Sequence, residues 1–314
     1  MTVSAQFPNE HSGEGEFRRQ DDRFREWVTD DGRSGFPAAP GRYHLYVSWA
    51  CPWAHRTIIV RKLKQLEDVI GMTVVDPVRD ERGWAFREGP DHTLDPINGF
   101  HFLSEAYEAT DPLYRGRVTV PVLWDNETKR IVTNSDDDLM RMFNSEFNRF
   151  TDNRIDLYPE ELRQEIDELN RFIYENVNDG VYRAGFATAQ GAYERAVRRL
   201  FETLDGLEKR LAERRYLFGP QFVETDWRFF VTLVRLDAVY HGHFKCNIRR
   251  IVDYPNLFGY LKDLYQTDGV SETVNFDHIK RHYYITHDDI NPTGIVPLGP
   301  DQDLTAPHGR ERLT

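Results

Sequence analysis

The stretch Tyr43-His44-Leu45-Tyr46-Val47-Ser48-Trp49-Ala50-Cys51-Pro52 is the most informative in the chain. Five residues of β-forming type run into a short turn, and Pro52 then suits the first position of a helix, where its missing N–H is not needed. Trp53, Ile58, Ile59, Leu63 and Leu66 follow at helical spacing, and a second β-type run, Met72 to Val75, comes after them. This predicts a βαβ opening. Further on, a long polar segment from Val78 to Gly116 precedes the run Val118 to Trp124, the turn Asp125-Asn126, the run Ile131 to Thr133 and a helix beginning near Ser135. A βαβ unit followed by a hairpin and a helix is the order of a thioredoxin-like domain.

Outward from this core the pattern changes twice. Residues 1–40 are polar, carry Gly, Pro and mixed charge, and show neither a strand nor a helix period, so they read as an extended arm. Beyond Leu157 the period becomes that of helices: Leu162, Ile166, Leu169, Phe172 and Ile173 share one face, and Tyr193, Val197, Leu200, Leu204, Leu207 and Leu211 share another. Further helices are predicted over 226–240 and 255–265, and the tail after Asn291 reads as irregular. The expected organisation is α/β plus all-α: an arm (1–40), a thioredoxin-like domain (41–156), a helical domain (157–300) and a tail (301–314).

Composition narrows the function. The net charge of −12 disfavours nucleic acid or an anionic membrane as partner, and small molecules are expected instead. No apolar run approaches the length of a membrane helix. The 7 Lys against 33 Arg reflect the source's compositional bias rather than a function. With two cysteines and no secretory leader pattern, a cytoplasmic protein with reduced thiols is expected.

Of those cysteines, Cys51 sits after a strand and before a proline that opens a helix, which places it at the N-cap. Unpaired amides and the positive end of the helix dipole favour a thiolate there, the nucleophilic form. Ala54 stands where a Cys-x-x-Cys motif has its second thiol. A mixed disulfide at Cys51 therefore has to be cleared by an outside thiol, which points to a thiol-dependent transferase or reductase. Pro121 at the start of a strand fits an exposed edge, able to pair with a peptide-like thiol, a cis turn, or an ordinary strand-initiating proline. Ser135 is a good N-cap, with Asp136, Asp137 and Asp138 in the first helical turn. Tyr182, Tyr240, Tyr283 and Tyr284 are candidate hydrogen-bond donors to a thiolate or a phenol, and spacing alone does not choose among them. The pairs His241/His243 and His278/His282 have no cysteine partner and no His-Glu-x-x-His string accompanies them, so no metal site is expected.

The string Ser48-Trp49-Ala50-Cys51-Pro52-Trp53-Ala54-His55-Arg56-Thr57 resembles the signature of the glutathionyl-hydroquinone reductases, the Xi-class glutathione transferases. Similar agreement runs through Gly83 to Phe86, Arg117 to Asp125, Val181 to Ala187, His243 to Asn247, Asp253 to Leu257 and His278 to Tyr284. The resemblance implies a homodimer with Cys51 as nucleophile, glutathione or another small thiol as co-substrate, and no tightly bound cofactor. It implies that Trp84 packs against the thiol, that Arg117, Val118, Thr119 and Val120 line its peptide part, and that Pro121 is cis. It also implies Tyr182 as proton donor and acceptor, and Tyr240 and Tyr283 as hydrogen-bond partners of the cysteine sulfur. An omega-like thiol transferase and a non-catalytic binding module are the alternatives.

One departure concerns the thiol itself. Where the family is expected to carry a Glu-Ser pair for the γ-glutamyl end of glutathione, this chain has Ser135-Asp136. A carboxylate at a helix tip that receives the substrate's carboxylate weakens binding by about 1 kcal/mol or more. Mycothiol, with its sugar hydroxyls, thereby becomes an alternative donor; γ-glutamylcysteine fits the acidic composition but keeps the γ-glutamyl group and leaves the substitution unexplained. A second departure is Val223, three residues before Asp226, where Ser or Thr of a capping box is usual and a cap of about 1 kcal/mol is lost.

Overall fold

The computed structural model describes residues 10–313, which form two compact units. The first, Asp21–Asp156 with Glu272–Thr286, is built on a four-stranded sheet. Strand β1 (Tyr43–Val47) leads through Cys51 into helix α1 (Pro52–Leu63) and back to β2 (Gly71–Val74), parallel to β1 with Tyr46 opposite Thr73. Helix α2 (Leu103–Thr110) lies in the segment that the sequence shows only as long and polar. The hairpin β3 (Val122–Asp125) and β4 (Arg130–Thr133) and helix α3 (Asp136–Ser145) complete this part of the chain. The sheet order β2-β1-β3-β4 puts β1 and β3 inside, which is why all five residues of β1 and all four of β3 are buried. Arg42 bridges the end of this sheet through a bidentate pair to Asp125, at 2.8 and 2.9 Å.

In the second unit, α4 (Arg163–Ile173) passes through a π turn into α5 (Gly180–Gly185), followed by α6 (Gln190–Arg210). Helix α7 (Glu224–Arg235) is buried along its whole length, and α8 (Pro255–Tyr265) follows. Valine offers no side-chain acceptor at the N-cap of α7, yet half of the capping arrangement remains, because Asp226 accepts from the Val223 N–H at 2.8 Å. Asp226 also accepts from Leu217 N and the Tyr260 hydroxyl, and complete burial lifts its pKa to about 6.

Two segments cluster away from their sequence neighbours. Helix α9 (Phe276–Thr286), inside the range read as helical domain, belongs to the sheet unit: His278 donates to Pro90 O and His282 to Pro77 O, at 2.8 and 2.7 Å. The described part of Met1–Gln20 belongs to the helical unit. Between 10 and 40 there is no helix or regular strand, but the chain folds back on itself through bridges at His11/Phe17 and Thr29/Pro37 rather than running extended. Residues 1–9 of the arm and residue 314 of the tail lie outside the described residues. The rest of the tail is anchored by Arg310, which is buried and donates to the carbonyls of Leu211, Arg214, Arg215 and Asn256. No helix among the described residues is long and apolar enough to cross a membrane.

Candidate active site

Cys51 occupies the N-cap of α1 with extended backbone (φ −74°, ψ 120°), and Pro52 takes the first helical position. The thiol is 8% exposed and donates to the Val120 carbonyl at 3.5 Å. Pro121 follows that carbonyl through a cis peptide bond. Pro121 sits in a cis turn just ahead of β3, an interior strand of the sheet. The loop Arg117–Val120 is fixed from outside itself. The Tyr107 hydroxyl donates to Thr119 O at 2.9 Å and accepts from Thr119 N, Tyr114 donates to Arg117 O, and Asn134 donates to the Thr119 hydroxyl at 3.1 Å. Tyr107, Tyr114 and Asn134 brace this loop, and no spacing in the sequence singles them out.

Trp84 is buried and stacks on His282 of α9, with ring centroids 4.9 Å apart and planes at 19°, while the Arg79 guanidinium lies 5.0 Å from the Trp84 ring. The next residue of α9, Tyr283, is 1% exposed. The histidine pair His278/His282 is thus engaged with backbone carbonyls, and among the described residues no group of three or more His, Cys, Asp or Glu is placed to hold a metal.

At the tip of α3 the Ser135 hydroxyl accepts from Asp138 N at 3.3 Å, as its N-cap role requires. Asp136 accepts from Arg56 Nη1 at 2.7 Å, with side-chain exposures of 11% and 1%. Arg56 also lies 4.6 Å from the Trp53 ring, so α1 delivers both the cysteine and the cation that meets the α3 carboxylate. Asp138 forms a second pair, with Arg25. The added carboxylate at position 136 is therefore charge-compensated, which reduces the like-charge penalty expected from the sequence. Arg56 lies within the signature string, but only the fold reveals its partner.

Tyr182 and Tyr240 belong to the helical unit. Their rings meet edge-on at 6.0 Å, Tyr240 stacks on Phe244 at 5.5 Å and 16°, and Tyr182 meets Phe244 at 5.5 Å. Tyr240 is fully buried, whereas Tyr182 is half-buried. Gly185 makes this packing possible, since a Cβ there would lie 2.2 Å from Phe244 ring atoms. Behind Phe244, His243 and His287 hydrogen-bond each other at 3.1 Å, and burial lowers the pKa of His243 to about 4. Cys246 is fully buried, which raises its pKa and keeps it an inert thiol.

A thioredoxin-like unit with a helix-capping cysteine beside a cis-proline turn, joined in one chain to an all-helical unit, defines a cysteine-type glutathione transferase. Residues 50–145 match the model of the glutathione S-transferase N-terminal domain, and residues 190–263 that of the C-terminal domain. The chain is 52% identical over 304 residues to glutathionyl-hydroquinone reductase YqjG of Escherichia coli, covering 95% of this chain and 93% of that protein. It is 49% identical over 293 residues to glutathionyl-hydroquinone reductase PcpF of Sphingobium chlorophenolicum, covering 93% and 92%. The solved structure of glutathione-bound YqjG superposes with a TM-score of 0.91, covering 92% of this chain and 96% of that one at 52% identity. The chain belongs to the glutathionyl-hydroquinone reductases, the Xi class of glutathione transferases.

Proposed function

We propose that this enzyme cleaves thioethers between a small thiol and a hydroquinone ring, releasing the free hydroquinone. The observation that carries the reading is Cys51 at the α1 N-cap, its sulfur beside the Val120 carbonyl ahead of cis-Pro121, in a chain whose relatives are named for this reaction. Cys51 thiolate attacks the thioether sulfur, and the bond between sulfur and the ring carbon breaks. The electron pair goes to the ring carbon, which takes a proton from Tyr182, while the sulfur is oxidised into a mixed disulfide with Cys51. A second thiol attacks that disulfide, leaves as the symmetric disulfide and returns the Cys51 thiolate.

In this reading Trp84 packs against the bound thiol, Arg117 to Pro121 line its peptide part, and Ser135 and Asp136 meet its far end. Tyr240 and Tyr283 donate to the cysteine sulfur. Glutathione, which the YqjG structure holds, is the first donor to test, with γ-glutamylcysteine and mycothiol beside it. The Arg56–Asp136 pair offsets the carboxylate at the tip of α3, which makes a γ-glutamyl donor end compatible with it. A cytoplasmic homodimer acting on small molecules completes the reading.

The test is turnover of a glutathionyl-methylhydroquinone with excess thiol, followed by chromatographic detection of methylhydroquinone. The wild type is expected to release it, and Cys51→Ser to release none above the uncatalysed rate. Rapid exchange with small disulfides and no hydroquinone from the wild type would reassign the protein to omega-like thiol transfer.

A further inference from the structure

Residues 10–18 of the arm form a small hairpin that belongs to the helical unit and closes on α5. Ser12 N donates to Glu16 O at 2.8 Å and Arg18 N to Glu10 O at 2.7 Å, with His11 and Phe17 bridged across the turn. The hairpin is tied to residues some 175 positions later by three independent contacts. His11 Nε2 donates to Phe186 O at 2.9 Å, Thr188 N donates to Gly15 O at 3.1 Å, and Arg195 pairs with Glu16 at 2.6 Å. The approach is so close that a Cβ on Gly15, which has φ +79°, would lie 2.8 Å from both Ala189 Cβ and Thr188 Oγ1.

What the hairpin delivers is Phe17. Its ring is 5% exposed and packs on Phe186 at 5.4 Å and on Tyr182 at 6.5 Å. Tyr182 is thereby bounded by Phe17, Phe186, Phe244 and Tyr240, and of these Phe17 alone comes from outside the helical region of the sequence. An aromatic wall held by distant contacts is more than is needed to cover a helix end, because Glu16 and Arg195 are themselves exposed and contribute little stability.

We infer that the N-terminal hairpin is a positioning element that holds the Tyr182 ring through Phe17 and so sets recognition of the hydroquinone. The inference rests on the function proposed above for Tyr182. Phe17 does not enter the chemistry. It limits the orientations of the ring whose hydroxyl meets the aromatic substrate, and reactions that need no proton at carbon are indifferent to it. Exchange of Cys51 with a simple disulfide is such a reaction.

The test compares wild type with Phe17→Ala and Arg195→Ala in two readouts. The first is the ratio of hydroquinone thioether cleavage to exchange with a glutathione mixed disulfide. Misplacing a positioned group by about 1 Å costs one to two orders of magnitude, so Phe17→Ala is expected to lower the thioether rate about tenfold and leave disulfide exchange within about twofold. Arg195→Ala loosens the hairpin from an exposed site without opening a cavity and is expected to shift the ratio the same way by a smaller factor, about threefold. The second readout is methylhydroquinone binding to the Cys51→Ser protein by calorimetry, where adding Phe17→Ala is expected to weaken binding by about tenfold. An unchanged ratio, or an equal fall of both rates, together with unchanged hydroquinone binding, would overturn the inference. A wild type that binds hydroquinone but cleaves no thioether refutes the proposed function alone, and the binding comparison then decides the role of the hairpin.

Discussion

Asp136→Asn separates two accounts of the α3 tip. The carboxylate faces a guanidinium that is 1% exposed, at 2.7 Å, and the Arg56 Nε and Nη2 atoms are buried without hydrogen-bond partners. Removing one member of a buried pair leaves the other charge uncompensated and costs about 3–5 kcal/mol. Asp137 lies 3.6 Å from the same nitrogen but is 53% exposed, so it recovers little, about 0.5–1 kcal/mol. Loss of a negative charge from the first turn of α3 adds about 0.5 kcal/mol to the deficit. The expected loss is about 4 kcal/mol, read as a lower urea midpoint at unchanged slope. The same variant tests the electrostatics of thiol binding. If Arg56 compensates Asp136, glutathione binding by calorimetry improves by no more than about threefold, or about 0.7 kcal/mol. A stability loss below about 1 kcal/mol with a tenfold gain in glutathione affinity would show that Asp136 acts as a bare charge, and the compensation by Arg56 would have to be abandoned.

Other consequences can be checked separately. His44 and His243 each have a pKa lowered from 6.5 to about 4 by burial, so the unfolded chain binds more protons than the native one across that window, while Asp226, raised from 3.8 to about 6, works in the opposite sense. Between about pH 6 and 4.5 these three groups leave a net excess of about one proton on the unfolded chain, so stability should fall by about 1.4 kcal/mol per pH unit on acidification, measured as urea midpoints; a rise would contradict the assignment. Arg310→Ala removes a buried cation that donates to four backbone carbonyls and should lower stability by about 3 kcal/mol, with the tail becoming protease-sensitive; an unchanged melting curve would rule out the clamp. Gly185→Ala drives a methyl into the Phe244 ring and should cost about 2 kcal/mol, with a change in near-ultraviolet circular dichroism from the Tyr240–Phe244 stack; an unaltered spectrum would argue that the contact does not form.

Where contacts are local, the sequence is a good guide to this fold. The β-type run Tyr43–Val47, Pro52 at the start of α1, Pro255 at the start of α8 and Ser135 capping α3 mark elements that the structure realises at those residues. Helix α2 is harder to read: Leu103, Ala106 and Tyr107 form its buried face at helical spacing, but eight residues make only about two turns inside a long polar segment. The placement of α9 with the sheet, and of the hairpin at Phe17 with α5, rests on hydrogen bonds between residues some 175 to 205 positions apart, which no local pattern encodes. The same holds at the site. Cys51 is legible from strand, cysteine and proline in succession, whereas Arg56 beside Asp136, and Tyr107 holding Thr119, depend on which side chains the fold brings opposite one another.

The proposed chemistry stands or falls on whether Cys51 takes the thiol from a hydroquinone thioether. Intact-mass spectrometry answers this on the reduced protein, after exposure to thioethers of glutathione, γ-glutamylcysteine and mycothiol with no other thiol present. One added thiol per chain is expected, on Cys51 and absent from Cys51→Ser, with the mass identifying the donor. No adduct from any thioether, on a protein whose Cys51 still reacts with an alkylating agent, would contradict the mechanism.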